Sequence, residues 1–145
     1  MAAKTPLSIR GFKREDINKI LEIEAEAFPK TAYSRKMFIE YAKNRVNTFI
    51  VLETDEDIAG YMIFDEGGHI HSTAVKSVCR RKGFGKKLFS HALGCCKNRL
   101  WLEVRSSNIV ALEFYRSMDM EIAGKIPGYY GNDDAFIMVV KSETG

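Results

Sequence analysis

The sequence predicts an α/β domain of the α+β kind: a mixed, mostly antiparallel sheet with a central parallel strand pair and flanking helices. Three observations predict it. Strand-like apolar runs in the first half of the chain are separated by the hairpin signals Asp55-Glu56-Asp57 and Gly67-Gly68. Segments with helical spacing of apolar residues lie between the other strand-like runs. One of those segments, opened by glycines, links two strands, and a strand–helix–strand step implies parallel pairing with a right-handed crossover. A chain of 145 residues is long enough for one sizeable core, so residues 1–145 are expected to form a single domain.

Leu7 to Phe12 reads as the first strand. Arg14 to Phe28 follows as a helix, because Ile17, Ile20, Leu21, Glu24 and Phe28 stack at three- and four-residue steps; Pro29 stops it. Ser34 is placed to N-cap a second helix running to about Lys43. Asn47 to Glu53, Ile58 to Asp65 and Ile70 to Val75 read as consecutive hairpin strands. Phe84, Leu88, Ala92 and Cys95 then recur at helical spacing to about Lys97, and Leu100 to Val104 is a short apolar strand. Asn108 to Met118 reads as the last helix, followed by strands at about Met120 to Lys125 and Asp134 to Lys141.

Composition excludes several function classes. No apolar run approaches the ~20 residues that span a bilayer, and Met1 to Pro6 carries no apolar block of the secretory kind. A cytoplasmic protein without a membrane partner is expected. The formal charge of +3 suits an acidic small ligand but is too weak to argue direct nucleic-acid binding. Cys79, Cys95 and Cys96 show no metal or redox spacing and read as reduced thiols. With no spare apolar stripe, a monomer is expected.

The run Arg80-Arg81-Lys82-Gly83-Phe84-Gly85 sits at the strand-to-helix turn. The first N–H groups of a helix have no internal partner, and with the helix dipole they form an anion site suited to phosphate. Glycine lets a ligand approach the backbone closely. A basic turn on an ordinary surface helix would look the same in isolation. A P-loop needs glycine where Arg80 stands, and the dinucleotide fingerprint needs glycine where Leu88 stands, so both are excluded.

The spacing Arg80-x-x-Gly83-x-Gly85, the run Leu102-Glu103-Val104-Arg105-Ser106-Ser107-Asn108, the pair Phe114-Tyr115 and the late Tyr129-Tyr130 together resemble the GNAT acetyltransferases. Within that family the chain is most similar to the ribosomal-protein alanine N-acetyltransferase branch, and the resemblance covers almost its whole length. It implies the GNAT fold, acetyl-CoA as cosubstrate, no metal, and a protein or peptide N-terminus, such as that of a ribosomal protein, as acceptor.

Such acyl transfer needs a deprotonated amine, a polarised carbonyl and a neutralised thiolate. The resemblance implies backbone donors from Arg81 to Gly85 for the CoA pyrophosphate, with Arg80, Lys82, Phe84 and Lys86 in the same turn. It implies backbone N–H groups of the Ala74-Val75 strand for the carbonyl and the pantetheine arm; Asn108 is placed to cap the last helix, and the resemblance adds a contact from its side chain to the CoA arm. Glu103 is the candidate general base, directly or through water, against the alternative of a salt bridge to Arg105. Tyr115 is the candidate general acid for the departing sulfur; alone it would read as packing. The acceptor grip is expected from Phe28 and Tyr33 in the interhelix segment and from Tyr129 and Tyr130. His69 and His71 share one strand face; they either line the acceptor side, where His71 is a candidate contact, or pack locally. A metal pair lacks a third ligand at suitable spacing.

Three positions leave the family pattern: Ser77 stands for its usual proline, Asp119-Met120 for a glycine-aromatic pair, and Tyr33 for a frequent tryptophan. Beside the N-terminal acceptor, two readings stay open: transfer to a small amine or lysine side chain, and a regulatory module that binds acetyl-CoA without turnover.

Overall fold

Antiparallel pairing follows the hairpin signals. β1 (Ser8–Gly11), β2 (Asn47–Glu53), β3 (Ile58–Asp65) and β4 (Ile70–Val75) lie in that order in a four-stranded antiparallel sheet. β5 (Trp101–Arg105), β7 (Ala135–Val140) and β6 (Met120–Ile126) form a three-stranded sheet with β7 in the middle. The helices are α1 (Ile17–Ala27), α2 (Arg35–Lys43), α3 (Phe84–Cys95) and α4 (Ile109–Ser117). This is a computed structural model, and it describes residues 7–55, 57–79 and 82–140. Among them no helix is long and apolar enough to cross a membrane.

β3 is buried along nearly its whole length, as a strand covered on both faces should be. On one side Ile17, Ile20 and Ile23 of α1 and Phe38 of α2 pack on Phe49, Val51, Tyr61 and Ile63. On the other, Leu88, Phe89 and Ala92 of α3 pack on Ile50, Leu52, Met62 and Phe64, and this core continues into Leu102, Val104, Leu112 and Met138. Alternate residues of β2 therefore serve two cores.

The predicted parallel pair forms at one point only. His69 and Trp101 make a single parallel bridge, and the Trp101 N–H donates to the Gly68 carbonyl at 2.9 Å. Beyond it β4 and β5 part, each becoming the edge of its own sheet. Gly68 is the residue that allows this closeness. Its φ is +87°, and a Cβ there would lie 1.7 Å from the Arg99 carbonyl oxygen.

Some boundaries differ from the sequence reading. The first helix opens with a 3-10 turn over Arg14–Asp16, and Asn108 caps α4 without belonging to it. The end of the last predicted strand, Lys141, lies outside the described residues. Asp119, in place of the family's glycine, adopts φ 63°, a left-handed conformation that aspartate tolerates better than most residues.

The junction yields a prediction. Gly68→Ala combines a left-handed backbone penalty of about 1–2 kcal/mol with displacement of Arg99, so denaturant unfolding should show a loss of at least about 3 kcal/mol. Gly131→Ala, also at positive φ (83°) but with open space around it, should lose only the backbone part. Equal losses at both positions would refute this account of the junction.

Candidate active site

Where β4 and β5 part, a cavity of about 400 Å³ opens between the two sheet edges. Glu103, Tyr115 and Asn108 line it together with Phe28, Tyr33, His71 and Tyr130. Residues predicted for catalysis, cofactor and acceptor thus meet in one space, though they come from five separate segments of the chain. Tyr129 is half exposed, yet its hydroxyl reaches the same site by donating to Glu103 Oε2 at 3.2 Å.

Glu103 reaches the cavity because β5 alternates: Leu102 and Val104 are buried in the core, and Glu103 projects from the other face. It stands at the middle of the strand. Its Oε1 lies 2.5 Å from His69 Nε2. An ionised carboxylate can only accept, so Nε2 carries the hydrogen. The His69 ring stacks on Trp101 with centroids 3.9 Å apart and planes within 10°, which fixes the donor direction. The salt bridge to Arg105 considered above is not the pairing formed. Arg105 lies 4.3 Å over the Tyr130 ring and 4.0 Å from Asp133.

Asp133 explains the serines of the Leu-Glu-Val-Arg-Ser-Ser-Asn run. Ser106 and Ser107 hydroxyls donate to its two oxygens at 2.7 and 2.5 Å. Those two bonds, Ser107 first, hold its carboxyl below the usual range. They clamp the loop carrying Tyr129 and Tyr130 onto the end of β5, and the two tyrosine rings meet edge to face at 4.9 Å.

Tyr115 lies on α4, which starts where Asn108 Oδ1 accepts the Ala111 N–H at 3.1 Å. Burial, aided by the nearby Tyr130, pushes its phenol up to about 12. Phe114 beside it packs on α3, and a Cβ at Gly85 would come within 3.2 Å of its ring. Gly85 therefore serves helix packing as well as the turn.

Gly83 caps α3 in the left-handed conformation, φ +81°, without a side-chain cap and with open space around it. The first turn of α3, whose N–H groups have no partner within the helix, lies beside exposed Lys82 and Lys86, while Phe84 anchors it in the core. Arg80 and Arg81 lie outside the described residues. Ala74 and Val75 pair with Tyr61 and Gly60 along one edge of β4, leaving the other toward the cleft. These features fit an elongated phosphate-ended ligand with an amide-bearing arm: a cradle at Gly83 and an unpaired strand edge leading to Tyr115.

One part of the site escaped sequence reasoning. Glu24, 1 % exposed, forms the cavity floor. It accepts hydrogen bonds from the Tyr61 hydroxyl and from the Tyr33 N–H, the latter at 2.9 Å. Tyr61 also meets Ser72 Oγ at 2.7 Å, and its burial drives its phenol well above the ordinary value. Tyr33 in turn donates to the His71 carbonyl at 3.3 Å. The signal was a carboxylate in the apolar stripe of the first helix. Its partners are far apart in sequence and were not visible there.

Residues 17–120 match the Acetyltransferase (GNAT) family. The chain is 34% identical to a putative [ribosomal protein bS18]-alanine N-acetyltransferase of Bacillus subtilis over 94% of its own length and 97% of the relative's. It is 27% identical to an N-alpha-acetyltransferase of Saccharolobus solfataricus, covering 90% of each chain. The crystal structure of the ribosomal-protein-S18-alanine N-acetyltransferase of Escherichia coli superimposes with a TM-score of 0.82 at 23% identity, covering 97% of this chain and 99% of that one. Arabidopsis thaliana NAA60 in complex with acetyl-CoA gives 0.80 at 15% identity, with coverage of 92% and 97%. With more than half its length matched by the family and a relative above 30% identity, this chain belongs to the GNAT acetyltransferases.

Proposed function

We propose that the chain transfers the acetyl group of acetyl-CoA to the α-amine of a protein N-terminus, such as that of a ribosomal protein, by direct attack within a ternary complex. One observation carries this reading: Glu103, Tyr115 and Asn108 face a single cavity between two parted sheet edges. The relatives' acceptors support the choice of an N-terminal amine.

Acetyl-CoA supplies the activated acetyl group. First-turn N–H groups of α3 bind its pyrophosphate, and the open edge of β4 around Ala74 and Val75 aligns its arm and polarises the carbonyl. Glu103 takes the amine proton, directly or through water. His69 and Tyr129 occupy one oxygen each and hold the carboxylate plane in place. An α-amine has a pKa of about 7.7–8.0 and lysine about 10.4, so freeing the α-amine costs ~3.5 kcal/mol less at ~1.36 kcal/mol per unit. A single carboxylate base therefore suits an N-terminal acceptor. Phe28, Tyr33, His71 and Tyr130 wall the amine's approach.

Tyr115 acts on the leaving sulfur. Its phenol, at about 12, holds its proton more tightly than a thiol of about 8.5. Donation of a hydrogen bond to the developing thiolate thus outweighs complete proton transfer.

Incubating peptides with acetyl-CoA and sequencing the products by mass spectrometry tests the acceptor. The expected product is an α-acetyl group on an alanine-starting ribosomal peptide. Transfer to lysine side chains or polyamines alone would overturn the acceptor, and binding of CoA without transfer to any amine would favour a regulatory module. Glu103→Gln and Tyr115→Phe should each lower kcat by about 10²-fold or more, with small changes in KM; full kcat in either removes that residue from the mechanism. Because a raised pKa keeps the acid form below about 12, Tyr115→Phe should cost the same factor at about pH 7.5 and about pH 9.5. A penalty that vanishes at the higher pH would mean that the hydroxyl ionises in this range.

A further inference from the structure

Beside Glu103 stands a cluster that the transfer reaction does not consume. Sequence spacing offers His69 and His71 no third partner, and the fold corrects that expectation. The β3–β4 register shifts between Ile63 and Phe64, and the tight turn that follows returns Asp65 against its own hairpin. One ligand-type atom from each of Asp65, His69 and His71 then lies within 4.8 Å of the others.

The groups are held as a preformed set. Asp65 Oδ1 accepts the N–H groups of Gly67 at 2.9 Å and His69 at 3.1 Å. Its Oδ2 meets His71 Nε2 at 3.0 Å. Two bonds of about 2.0–2.1 Å at a tetrahedral angle set neighbouring ligand atoms about 3.3 Å apart, close to the 3.0 Å between Asp65 and His71, while the His69 nitrogen, within 4.8 Å of both, closes in to complete the set. The His69 ring is fixed by Trp101, and its Nε2–H is given to Glu103. Nδ1 is the nitrogen left for a cation. A ligating histidine that gives its other N–H to a carboxylate is the usual outer-shell arrangement. The three side chains are 18%, 22% and 23% exposed, and Asp65 and His71 border a groove of about 500 Å³ that admits an ion.

We propose that Asp65, His69 and His71 bind a zinc-class divalent cation, with Glu103 in its outer shell, and that occupancy inhibits acetyl transfer. Two imidazoles and one carboxylate suit zinc, whereas magnesium and calcium prefer all-oxygen sets. Three protein ligands leave the fourth position to water. A cation on the His69 ring stands one imidazole away from the Glu103 carboxylate that the incoming amine approaches, and its positive charge opposes entry of an ammonium group. The inhibition rests on Glu103 acting as the base; the binding does not.

The full chain, freed of metal by chelation, is titrated with Zn²⁺ by calorimetry and with Co²⁺ by visible absorption. Expected are one equivalent bound with a Kd at or below about 10 µM, nitrogen–oxygen-type Co²⁺ bands, and a zinc-dependent rise in Tm. Asp65→Asn and His71→Gln should each weaken binding at least about tenfold and abolish the Tm rise, while His91→Gln, an exposed histidine on α3 outside the cluster, should leave both unchanged. Zinc should lower the wild-type rate at least tenfold, reversibly with EDTA, and the ratio of rates with and without zinc should approach one in Asp65→Asn. Unchanged affinity in both site variants, thiolate-type Co²⁺ bands lost on Cys95→Ser, or no binding by about 100 µM would each overturn the site. If zinc binds as expected but Glu103→Gln keeps full kcat, the base assignment fails and the site stands.

Discussion

Everything functional in this molecule depends on two strands that touch once and then separate. The contact at Gly68 and Trp101 is close enough to exclude any side chain, and it ties the two sheets together. Had β4 and β5 zipped along their length, the backbone groups of both would be paired and the space between them closed. A single bridge keeps the sheets joined while leaving two unpaired edges. An unpaired edge is ordinarily a hazard, because it invites another strand. Under the proposed function, the same property makes it a template for an extended, amide-bearing ligand.

Keeping such a cleft open requires its walls to be fixed by something other than strand pairing. Two polar clusters do this from opposite sides. Glu24 joins α1, β3 and the interhelix segment through Tyr61 and Tyr33, and among the described residues no buried side-chain nitrogen or oxygen is left unpaired. A carboxylate that buried is costly unless its lone pairs are used, and truncating it would strand the Tyr61 hydroxyl. Asp133 does the corresponding work on the far wall, where two serines and its own loop converge. The cavity-lining residues Tyr33 and Tyr130 are thus each one bond or one stack away from a clamp.

Much of this was readable in the chain itself. The hairpin turns, the helix spacing, the Ser34 and Asn108 caps and the glycine turn all emerged from local rules, because each depends on residues within a few positions. Glu103, Tyr115 and Asn108 were nominated by resemblance, and the fold gathers them. What escaped were pairings across the sheet: Glu24 with Tyr61, Asp133 with Ser106 and Ser107, and Asp65 with His71. Each joins positions whose separation carries no periodic signal. The parallel pair shows the same limit, since sequence can announce a crossover but not where the strands will part.

Glu103 draws these threads together. One of its oxygens is held by His69, which belongs to the first sheet, and the other by Tyr129, which belongs to the loop clamped on the second. A carboxylate on a lone strand edge would rotate freely, and a base works only when its lone pair points at the proton. The two donors remove that freedom, but only when both sheets stand in their joined positions. The bridge at Gly68 lies immediately before His69, so the residue that sets the spacing of the sheets also sets the height of the donor. Orientation of the proposed base is therefore a property of the junction rather than of β5 alone, because one of its two donors stands on each sheet's side of the cleft.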